Sequence, residues 1–510
     1  MLRTLARART QRSLARCSSS SAPRTAPVLA HQPPHAADPL PSPSPPHAPD
    51  QAQLKPQPFI LRPLSRRYQL ETVSTTAHAP STCTTLHFVS PHAPSQPRTV
   101  SLPNLFLRDA SIHPDHVHPS SQQKLFRTTD VPLEGKLVGY GVHDVPGHGE
   151  CLVTEWSTPV RGVSAKSAKL SVVPIELLAG IMKGDAEHSE RDGEVPAARP
   201  WDKQQLEKTI QWTDYEAFKK DDQALLQTLD SLIRDGIVFL RNVPTDAKEG
   251  HHTELRNLVE RIGSLRRTWY GDLWDVKAVE GSLNIAYTNL DLGLHMDLTH
   301  FDNPPRYQFL HSLQNTHIRG GLSYFVDTYA LASHLSTHSP SSFQTLCAEP
   351  VRFEYKNGPH HTKFVRPTFE LRQGSTHALH AVNYSPPFQG PLPLERLANT
   401  KDGSGRESDD AERLADLHSA LSEFANLCDD AGGKWRFEHQ LEPGECVVFD
   451  NRRVLHARTA FEFLEGKAGE EGGRWLKGAY MDGDEVLSRW RVLKAKQRED
   501  VAKKGRTLFT

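Results

Sequence analysis

The stretch NIAYTNLDLGLHMDLTHFDNPPRYQFLHSL, residues 284–313, governs the interpretation of the whole chain. It contains a His-x-Asp pair, His295 and Asp297, directly after residues that alternate between apolar and polar as in a β-strand. Successive side chains of a strand point to opposite faces, so these two would share one face and Met296 would point away. They could therefore bind one metal ion together.

A third ligand is available far downstream, in GECVVFDNRRVLHAR (444–458), where His456 ends another apolar run. Two histidines and one carboxylate on one face of an octahedron leave three coordination positions open. This is the arrangement of non-haem Fe(II) oxygenases. The sequence thus predicts an iron site made of His295, Asp297 and His456.

The pattern alone is weak, because a chain with 27 histidines is expected to contain such pairs by chance. Two others occur: His113/Asp115, in a His- and Pro-rich loop, and His300/Asp302, directly before a Pro-Pro pair that must break a strand. The pair described above differs from both because it follows a strand-like segment and has a distal histidine as partner.

Composition limits the classes of partner. Lys and Arg (60) balance Asp and Glu (61), so no net field favours nucleic acid or an anionic membrane. No run approaches 18 apolar residues, which predicts that no helix spans a membrane. The six cysteines are scattered without Cys-x-x-Cys, which argues against a disulfide framework and a four-cysteine zinc site and favours a reducing compartment.

A chain of 510 residues is too long for a single hydrophobic core, which indicates more than one domain. The 38 prolines indicate that part of the chain does not pack into a core. The first 30 residues carry six arginines, a serine run and no acid, which is typical of a mitochondrial transit peptide and predicts the matrix as location. We predict a transit peptide at 1–30, a Pro-rich disordered linker at 31–58, a small β-rich domain at 59–182, a charged linker at 183–205 and a catalytic domain at 206–510.

The last segment shows helices near its start and many short strands after them. DDQALLQTLDSLIRDG and HHTELRNLVERIG predict helices closed by Gly236 and Gly263, with the buried strand IVFLRNVP between them. A further helix is expected at 408–428, and strands are expected at 307–313, 321–326, 350–355, 378–384, 444–449 and 475–480. The pattern predicts a mainly β protein with flanking helices, built on a double-sheet fold.

Four ordered motifs carry a resemblance: HMDLTHFDNPPRYQFLHSL, GG…FVDTYALA, FDNRRVLHART and GRWLKGAYMDGDEVLSR. Together they resemble the γ-butyrobetaine dioxygenase/trimethyllysine dioxygenase family, 2-oxoglutarate-dependent hydroxylases of carnitine synthesis. The similarity spans roughly residues 206–495, with a weaker match over 59–182. It implies a double-stranded β-helix (jelly-roll) catalytic domain, Fe(II), 2-oxoglutarate as co-substrate and a homodimer.

The resemblance also implies binding residues for the co-substrate. Arg474 matches the basic residue that holds the far carboxylate of 2-oxoglutarate, for which a planar guanidinium is well suited. Arg458, two residues after the distal histidine, is the competing candidate. Leu310 corresponds to a residue that packs against the co-substrate, although it could equally be a plain core residue.

A trimethylammonium group cannot donate hydrogen bonds, so proteins recognise it with aromatic faces. The resemblance implies a cage of Tyr270, Trp274, Tyr287 and Tyr480, and a polar substrate contact at Asn284. Trp274 favours the butyrobetaine branch. An aromatic residue at such a position is otherwise ordinarily part of the core.

Three departures from the family pattern concern the substrate and a structural zinc. Leu298 stands where an aromatic residue is usual, and Ser385 and Pro386 replace paired asparagines. The loop that would bind zinc through three cysteines reads Ser111, His113 and His116, and Lys169 is the best match for the last ligand. His118 could substitute, but two imidazoles without thiolates make a poor tetrahedral zinc site, so structural zinc is not expected.

The sequence therefore predicts a hydroxylase that converts γ-butyrobetaine to carnitine, using O2. Two alternatives stay open. One is a hydroxylase for trimethyllysine or another amine, which the altered VNYSPPF segment favours. The other is a non-catalytic mitochondrial module that retains the fold, against which the intact metal triad argues.

Overall fold

The computed structural model of the protein describes residues 69–78, 81–90, 93–146, 148–182, 195–246, 253–277, 291, 293–316, 318–393, 407–430, 433–463 and 473–507. The predicted transit peptide and the Pro-rich linker lie outside these residues. Within them, no helix is both long enough and apolar enough to cross a membrane.

A six-stranded sheet forms the larger wall of the C-terminal part. Its order is β7-β8-β18-β10-β21-β9, antiparallel except for the parallel β7–β8 pair. The strands are β7 (Trp212–Asp214), β8 (Ile237–Arg241), β9 (Leu273–Lys277), β10 (Tyr307–Thr316), β18 (Cys446–Asp450) and β21 (Gly473–Met481).

The central strand β10 explains why YQFLHSL is apolar or buried at every position. Phe309 belongs to the core under the helices, whereas Leu310 belongs to the core on the opposite face of the sheet. Because both faces are covered, the strand shows no clean alternation of apolar and polar residues. All seven residues from Tyr307 to Leu313 are buried.

A three-stranded sheet, ordered β17-β12-β19, packs against the six-stranded sheet. Its strands are β12 (Ser323–Asp327), β17 (Phe437–His439) and β19 (Val454–Arg458). Phe325 of β12 lies 6.2 Å from the ring of Phe239 and 5.6 Å from that of Phe449, both edge to face. The aromatic core between the sheets thus holds β19 opposite β10.

Helices cover the outer face of the six-stranded sheet, chiefly α5 (Asp222–Asp235), α6 (Glu254–Ile262) and α10 (Gly483–Thr507). Helix α5 begins at Asp221, whose carboxylate accepts a hydrogen bond from the Gln223 amide, and ends at Gly236 with φ of 75°, as predicted. Gly263 follows α6 but is extended, with φ of −176°, so it is not a left-handed cap.

Two three-stranded sheets precede residue 183: β1-β2-β3 and β4-β5-β6. Leu86, Leu107, Trp156 and Val173 belong to a hydrophobic cluster of their own, formed entirely by residues of this part. The elements are β1 (Gln69–His78), β2 (Ser81–Ser90), β3 (Ala93–Pro103), α1 (Asn104–Asp109), β4 (Leu137–Val145), β5 (Gly149–Trp156), β6 (Leu170–Pro174) and α2 (Ile175–Met182), with a 3-10 turn at Thr128–Asp130.

Within the β-rich domain predicted at 59–182, the sequences TVSLPNLFLRDA and LSVVPIELL are strand-like throughout, but both are strands only in their first halves. TVSLPNLFLRDA becomes α1 after Pro103, and LSVVPIELL becomes α2 after Pro174. The expectation of continuous strand was wrong there. Proline lacks an amide donor and has a fixed φ, so it ends the ladder and favours the start of a helix.

The remaining elements surround the two sheets: α3 (Lys203–Thr209), α4 (Tyr215–Lys220), β11 (Ile318–Gly320), α7 (Thr328–His338), α8 (Pro340–Ala348), β13 (Pro350–Asn357), β14 (His360–Pro367), β15 (Phe369–Leu371), β16 (Leu379–Val382), a 3-10 turn (Pro386–Phe388), α9 (Glu407–Cys428) and β20 (Phe461–Phe463). The strands and the helix predicted after residue 300 coincide with observed elements.

Trp201, inside the predicted linker 183–205, is buried, and its indole donates to the Asp235 carbonyl at 2.6 Å. The division into domains stays a prediction.

Candidate metal centre

The backbone brings the two predicted histidine ligands side by side. His456 lies on β19, and His295 forms an isolated antiparallel bridge with it, each amide donating to the other carbonyl at 3.1 Å. The ring centroids are 4.5 Å apart, and both residues are 7% exposed. Two residues separated by 161 positions in sequence therefore face one point.

Asp297 completes the group. Its Oδ1 lies 3.4 Å from His295 Nε2 and 3.8 Å from His456 Nε2. Donor atoms of the three residues all lie within 4.8 Å of one another. Met296, between the two ligands, packs into the apolar cluster on the far side. Among the described residues, this is the one group of three or more His, Cys, Asp or Glu side chains with such geometry.

The strand predicted through His295 is not observed in the described residues. His295 is a single bridge residue, and a turn follows at 297–300, with Leu298 at φ of 60°. The left-handed conformation is unusual for leucine and redirects the chain immediately after the ligand. Over the three residues 295–297 the side chains still alternate as expected: those of His295 and Asp297 face the metal centre, and that of Met296 points into the apolar cluster on the other side.

Hydrogen bonds and charge prepare the ligands for a cation. His295 Nδ1 lies 2.9 Å from the Gly293 carbonyl, which assigns the proton to Nδ1 and leaves Nε2 as the ligand atom. Burial raises the pKa of Asp297, but the hydrogen bond with His295 and the nearby imidazoles lower it more, so its pKa lies well below the usual range. Burial, followed by the His295 charge, lowers the pKa of His456 to about 3. Asp297 is thus an anionic carboxylate and His456 a neutral imidazole, which are the forms that bind metal; His295 differs, because burial lowers its pKa but Asp297 raises it more.

The two rejected His-x-Asp pairs have other roles. His113 Nδ1 accepts the Asp115 amide at 3.1 Å in an exposed turn. His300 is buried in an aromatic stack, 5.7 Å from the ring of Trp269 at an interplanar angle of 7°. Burial lowers the pKa of His300 to about 4, so it stays neutral.

Both candidate arginines are buried near the same end of β19. Arg458 shares a strand face with His456, two residues away, and Arg474 on β21 donates to Ser323 Oγ at 3.4 Å. Ser323 is the cross-strand neighbour of Arg458. Burial, followed by the charge of Arg458, lowers the pKa of Arg474 to about 9. Among the described residues, Arg474 has no ion-pair partner.

The inward face of β10 contributes two residues. Gln308 Nε2 lies 3.5 Å from His456 Nε2, and Leu310, two positions on, shares that face and belongs to the core between the sheets. Gln308 was not predicted from the sequence. A polar residue among the apolar residues at the start of β10, within YQFL, is the signal that could have revealed it.

Three of the predicted cage residues are described. Tyr480 donates to Asp297 Oδ2 at 2.7 Å, and its ring stacks on Trp274 with a centroid separation of 5.1 Å. Burial raises the pKa of Tyr270, and Asp297 is one of the charges that act on it. Asn284 and Tyr287 lie outside the described residues. The assignment of these five residues to the substrate stays a prediction.

The altered segment VNYSPPF runs next to the metal ligands. The Met296 amide donates to the Tyr384 carbonyl at 2.8 Å, which places Ser385 beside the triad segment. Ser385 is 1% exposed, and its hydroxyl has no hydrogen-bond partner among the described residues. A buried hydroxyl without a partner is costly, which marks this position as a candidate ligand contact.

The loop in the N-terminal part does not fit a zinc ion. The Ser111 hydroxyl contacts His116 Nδ1 at 3.0 Å and accepts the Val172 amide at 3.0 Å. His116 Nε2 lies 3.2 Å from the Ser167 carbonyl. Both nitrogens of this fully buried imidazole are therefore engaged in hydrogen bonds, and a metal could bind only after breaking one of them.

Two imidazoles and one carboxylate, held between two sheets beside a pair of buried arginines, define the class: a 2-oxoglutarate-dependent non-haem iron dioxygenase. Residues 199–480, more than half of the chain, match the profile of the "Taurine catabolism dioxygenase TauD, TfdA family". The chain belongs to this family.

Relatives agree with the resemblance seen in the sequence. "Dioxygenase str8" of Strobilurus tenacellus is 37% identical over 392 residues, covering 76% of this chain and 84% of that protein. The γ-butyrobetaine dioxygenase of Pseudomonas sp. (strain AK-1) is 30% identical, covering 76% and 90%. Mitochondrial trimethyllysine dioxygenase of Bos taurus is 28% identical, covering 55% and 60%. The predicted similarity to the carnitine-synthesis dioxygenases is confirmed.

Proposed function

We propose that this protein hydroxylates a trimethylammonium substrate and that γ-butyrobetaine, which would give carnitine, is the best candidate. The reaction consumes substrate, 2-oxoglutarate and O2 and yields hydroxylated substrate, succinate and CO2. One oxygen atom enters the new C–O bond and the other enters succinate. The observation that carries the proposal is the triad of His295, Asp297 and His456 with Arg458 and Arg474 buried nearby.

His295 Nε2, His456 Nε2 and Asp297 Oδ1 would hold Fe(II), and a bound iron would supply the activation of O2 that side chains cannot. The protein's own task is to bind, orient and exclude water. Arg474 would hold the far carboxylate of 2-oxoglutarate through paired hydrogen bonds, and Leu310 would pack against its chain. A buried guanidinium without an ion-pair partner among the described residues supports this role.

Aromatic faces near the triad support a cationic substrate. Trp274 and Tyr480 stack at an interplanar angle of 29°, and Tyr480 touches a metal ligand, so their faces lie close to the reacting centre. Each cation–π contact would contribute on the order of 0.5–2 kcal/mol. With Tyr270, Tyr287 and Asn284, they form the proposed substrate site.

A second candidate is a different amine, trimethyllysine included. The observation that favours it is Ser385, buried beside the triad segment with an unpartnered hydroxyl. A serine at this position would bind a different polar group of the substrate from the group that the paired asparagines of the family would bind.

Location, assembly and domain architecture belong to the same proposal. The acid-free residues 1–30 support import into mitochondria, and a relative carries the word mitochondrial in its name. The pair of facing sheets supports a jelly-roll catalytic domain preceded by a small β-rich domain. A homodimer rests on the family resemblance alone.

The test is a turnover screen with the full chain, Fe(II), 2-oxoglutarate and either γ-butyrobetaine or trimethyllysine. We expect substrate-stimulated succinate together with carnitine, identified by mass spectrometry, from the first amine. The matched control is 5,5-dimethylhexanoate, in which a neutral carbon replaces the quaternary nitrogen of butyrobetaine while the carboxylate is kept; it should stimulate little. Product from trimethyllysine alone would select the second candidate, and no stimulation by any amine would favour the non-catalytic module.

A further inference from the structure

The two oxygens of Asp297 have different surroundings. Oδ1 faces Nε2 of both histidines, at 3.4 and 3.8 Å. Oδ2 accepts the Tyr480 hydroxyl at 2.7 Å, an ordinary length for a charge-assisted O–H···O bond. One oxygen is thus available to a metal while the other is already bound.

The backbone of Asp297 is held by a second residue. Asn451 Oδ1 accepts the Asp297 amide at 2.8 Å, and Asn451 Nδ2 donates to the Asp297 carbonyl at 3.1 Å. The same Nδ2 also donates to the Pro305 carbonyl at 3.0 Å. Asn451 is 1% exposed. A side-chain amide carries both a donor and an acceptor, so it can serve both backbone groups of one residue.

Packing fixes the position of the Tyr480 hydroxyl. The Tyr480 ring stacks on Trp274, and the indole of Trp274 lies close to Gly478, where an added Cβ would fall 2.4 Å from it. Gln308, whose Nε2 is 3.5 Å from His456, lies opposite Tyr480 on the neighbouring strand. The hydroxyl therefore has little freedom to leave the carboxylate.

We propose that Tyr480 and Asn451 are positioning residues that set Asp297 for metal binding through Oδ1 alone. Asn451 fixes where the residue lies, and Tyr480 occupies Oδ2 so that the carboxylate does not chelate with both oxygens. Tyr480 would then have a role besides its face in the substrate cage. The proposal rests on the iron site of the proposed function but not on the identity of the substrate.

Tyr480→Phe tests the hydroxyl, because it keeps the ring and the stack on Trp274. We expect the Kd for Mn(II), measured by calorimetry without any amine, to rise about 10- to 100-fold, the usual effect of removing a partner of a ligating side chain. The KM for γ-butyrobetaine should change less than about threefold, since each cation–π contact involves the ring and not the hydroxyl.

Trp274→Phe is the matched control: phenylalanine keeps an aromatic ring against Tyr480, so the Mn(II) affinity should fall less than in Tyr480→Phe, while the smaller ring should raise the KM for γ-butyrobetaine. A Tyr480→Phe variant that binds Mn(II) within twofold of the unaltered protein would overturn the role of Tyr480. If the substrate is not butyrobetaine, only the KM measurements would change, because the Mn(II) titrations contain no amine. A failure of the substrate proposal is therefore distinguishable from a failure of the proposal about Tyr480 and Asn451.

Asn451→Asp tests the backbone clamp at nearly constant shape. It keeps the acceptor but replaces the donor with an anion facing two carbonyls, so Mn(II) affinity should fall at least tenfold. The thermal unfolding midpoint reports whether the variant folds. If a folded Asn451→Asp protein kept its Mn(II) affinity, the role of Asn451 would be refuted.

Discussion

Two buried arginines, Arg453 and Arg474, differ in whether the protein pairs their charge. Arg453 is 2% exposed and donates two hydrogen bonds to Asp327, at 2.9 and 2.7 Å, and others to the carbonyls of Arg234 and Arg199. Arg474 is 7% exposed, and the described residues give it one hydrogen bond, to Ser323, and no acid.

Their pKa values follow from this contrast. Burial lowers the pKa of Arg453, but Asp327 raises it more, whereas burial and Arg458 lower the pKa of Arg474 to about 9. A buried cation is unfavourable unless it is paired. Arg453 therefore stabilises the fold, whereas the described residues offer Arg474 no acid that would offset the cost of burying its charge.

The largest effect is expected from Arg453→Met. It would leave Asp327 as an unpaired buried carboxylate, which costs roughly 3–5 kcal/mol in free energy of unfolding. Urea unfolding measures the change. The double variant Arg453→Met/Asp327→Leu should recover much of the loss, and a single variant as stable as the unaltered protein would remove the contrast between the two arginines.

Arg474→Met should leave the free energy of unfolding unchanged or raise it, because the variant removes an unpaired buried charge. The kcat/KM for 2-oxoglutarate should fall about 100-fold or more, since truncating one partner of a buried charge pair costs about 2–5 kcal/mol. Succinate formation and urea unfolding on the same sample check both halves. Lower stability with unaltered kcat/KM would make Arg474 a framework residue like Arg453.

Gly478→Ala extends the contrast to the substrate side. The new methyl would displace Trp274, so the KM for γ-butyrobetaine should rise about tenfold while the KM for 2-oxoglutarate stays constant, because a lost cation–π contact is worth about 1–2 kcal/mol. In a Trp274→Ala background, the same change should add little. If Gly478→Ala raised the KM equally in the unaltered protein and in the Trp274→Ala variant, Gly478 would not act through Trp274.

Arg458→Met should have the smallest effect, about fivefold in the KM for 2-oxoglutarate. The guanidinium of Arg458 lies over the ring of Phe461, 4.7 Å from its centroid; burial lowers its pKa, and the negative charge of Asp291 acts against that effect. The protein itself therefore stabilises part of the positive charge of Arg458. If Arg458→Met impaired the use of 2-oxoglutarate more than Arg474→Met does, Arg458 and not Arg474 would be the residue that binds the far carboxylate of 2-oxoglutarate.

The sequence predicted elements whose signal is local. Helix α5 with its cap at Gly236 and the buried strand β10 follow from apolar spacing and a glycine. The triad was found because its pattern is short and its distal histidine ends an apolar run. The strand predicted through His295 failed because contacts distant in sequence hold this segment: His295 pairs with His456, and Asn451 accepts the Asp297 amide just before the turn at Leu298.

Secondary contacts of the site were missed for the same reason. Nothing local in FDNRRVLHAR indicates that Asn451 holds the backbone of Asp297, 154 residues away. Tyr480 was assigned to substrate from a resemblance, and its hydrogen bond to the carboxylate emerges only when β21 and the turn are brought together. Such roles are set by tertiary packing.

The most direct test of the central claim is turnover under 18O2 with the full chain, Fe(II), 2-oxoglutarate and γ-butyrobetaine, analysed by mass spectrometry. An account based on His295, Asp297, His456 and Arg474 predicts one 18O atom in succinate and one in the hydroxylated product, and neither product from Asp297→Ala. Succinate that forms without label, or at the same rate in Asp297→Ala, would contradict it.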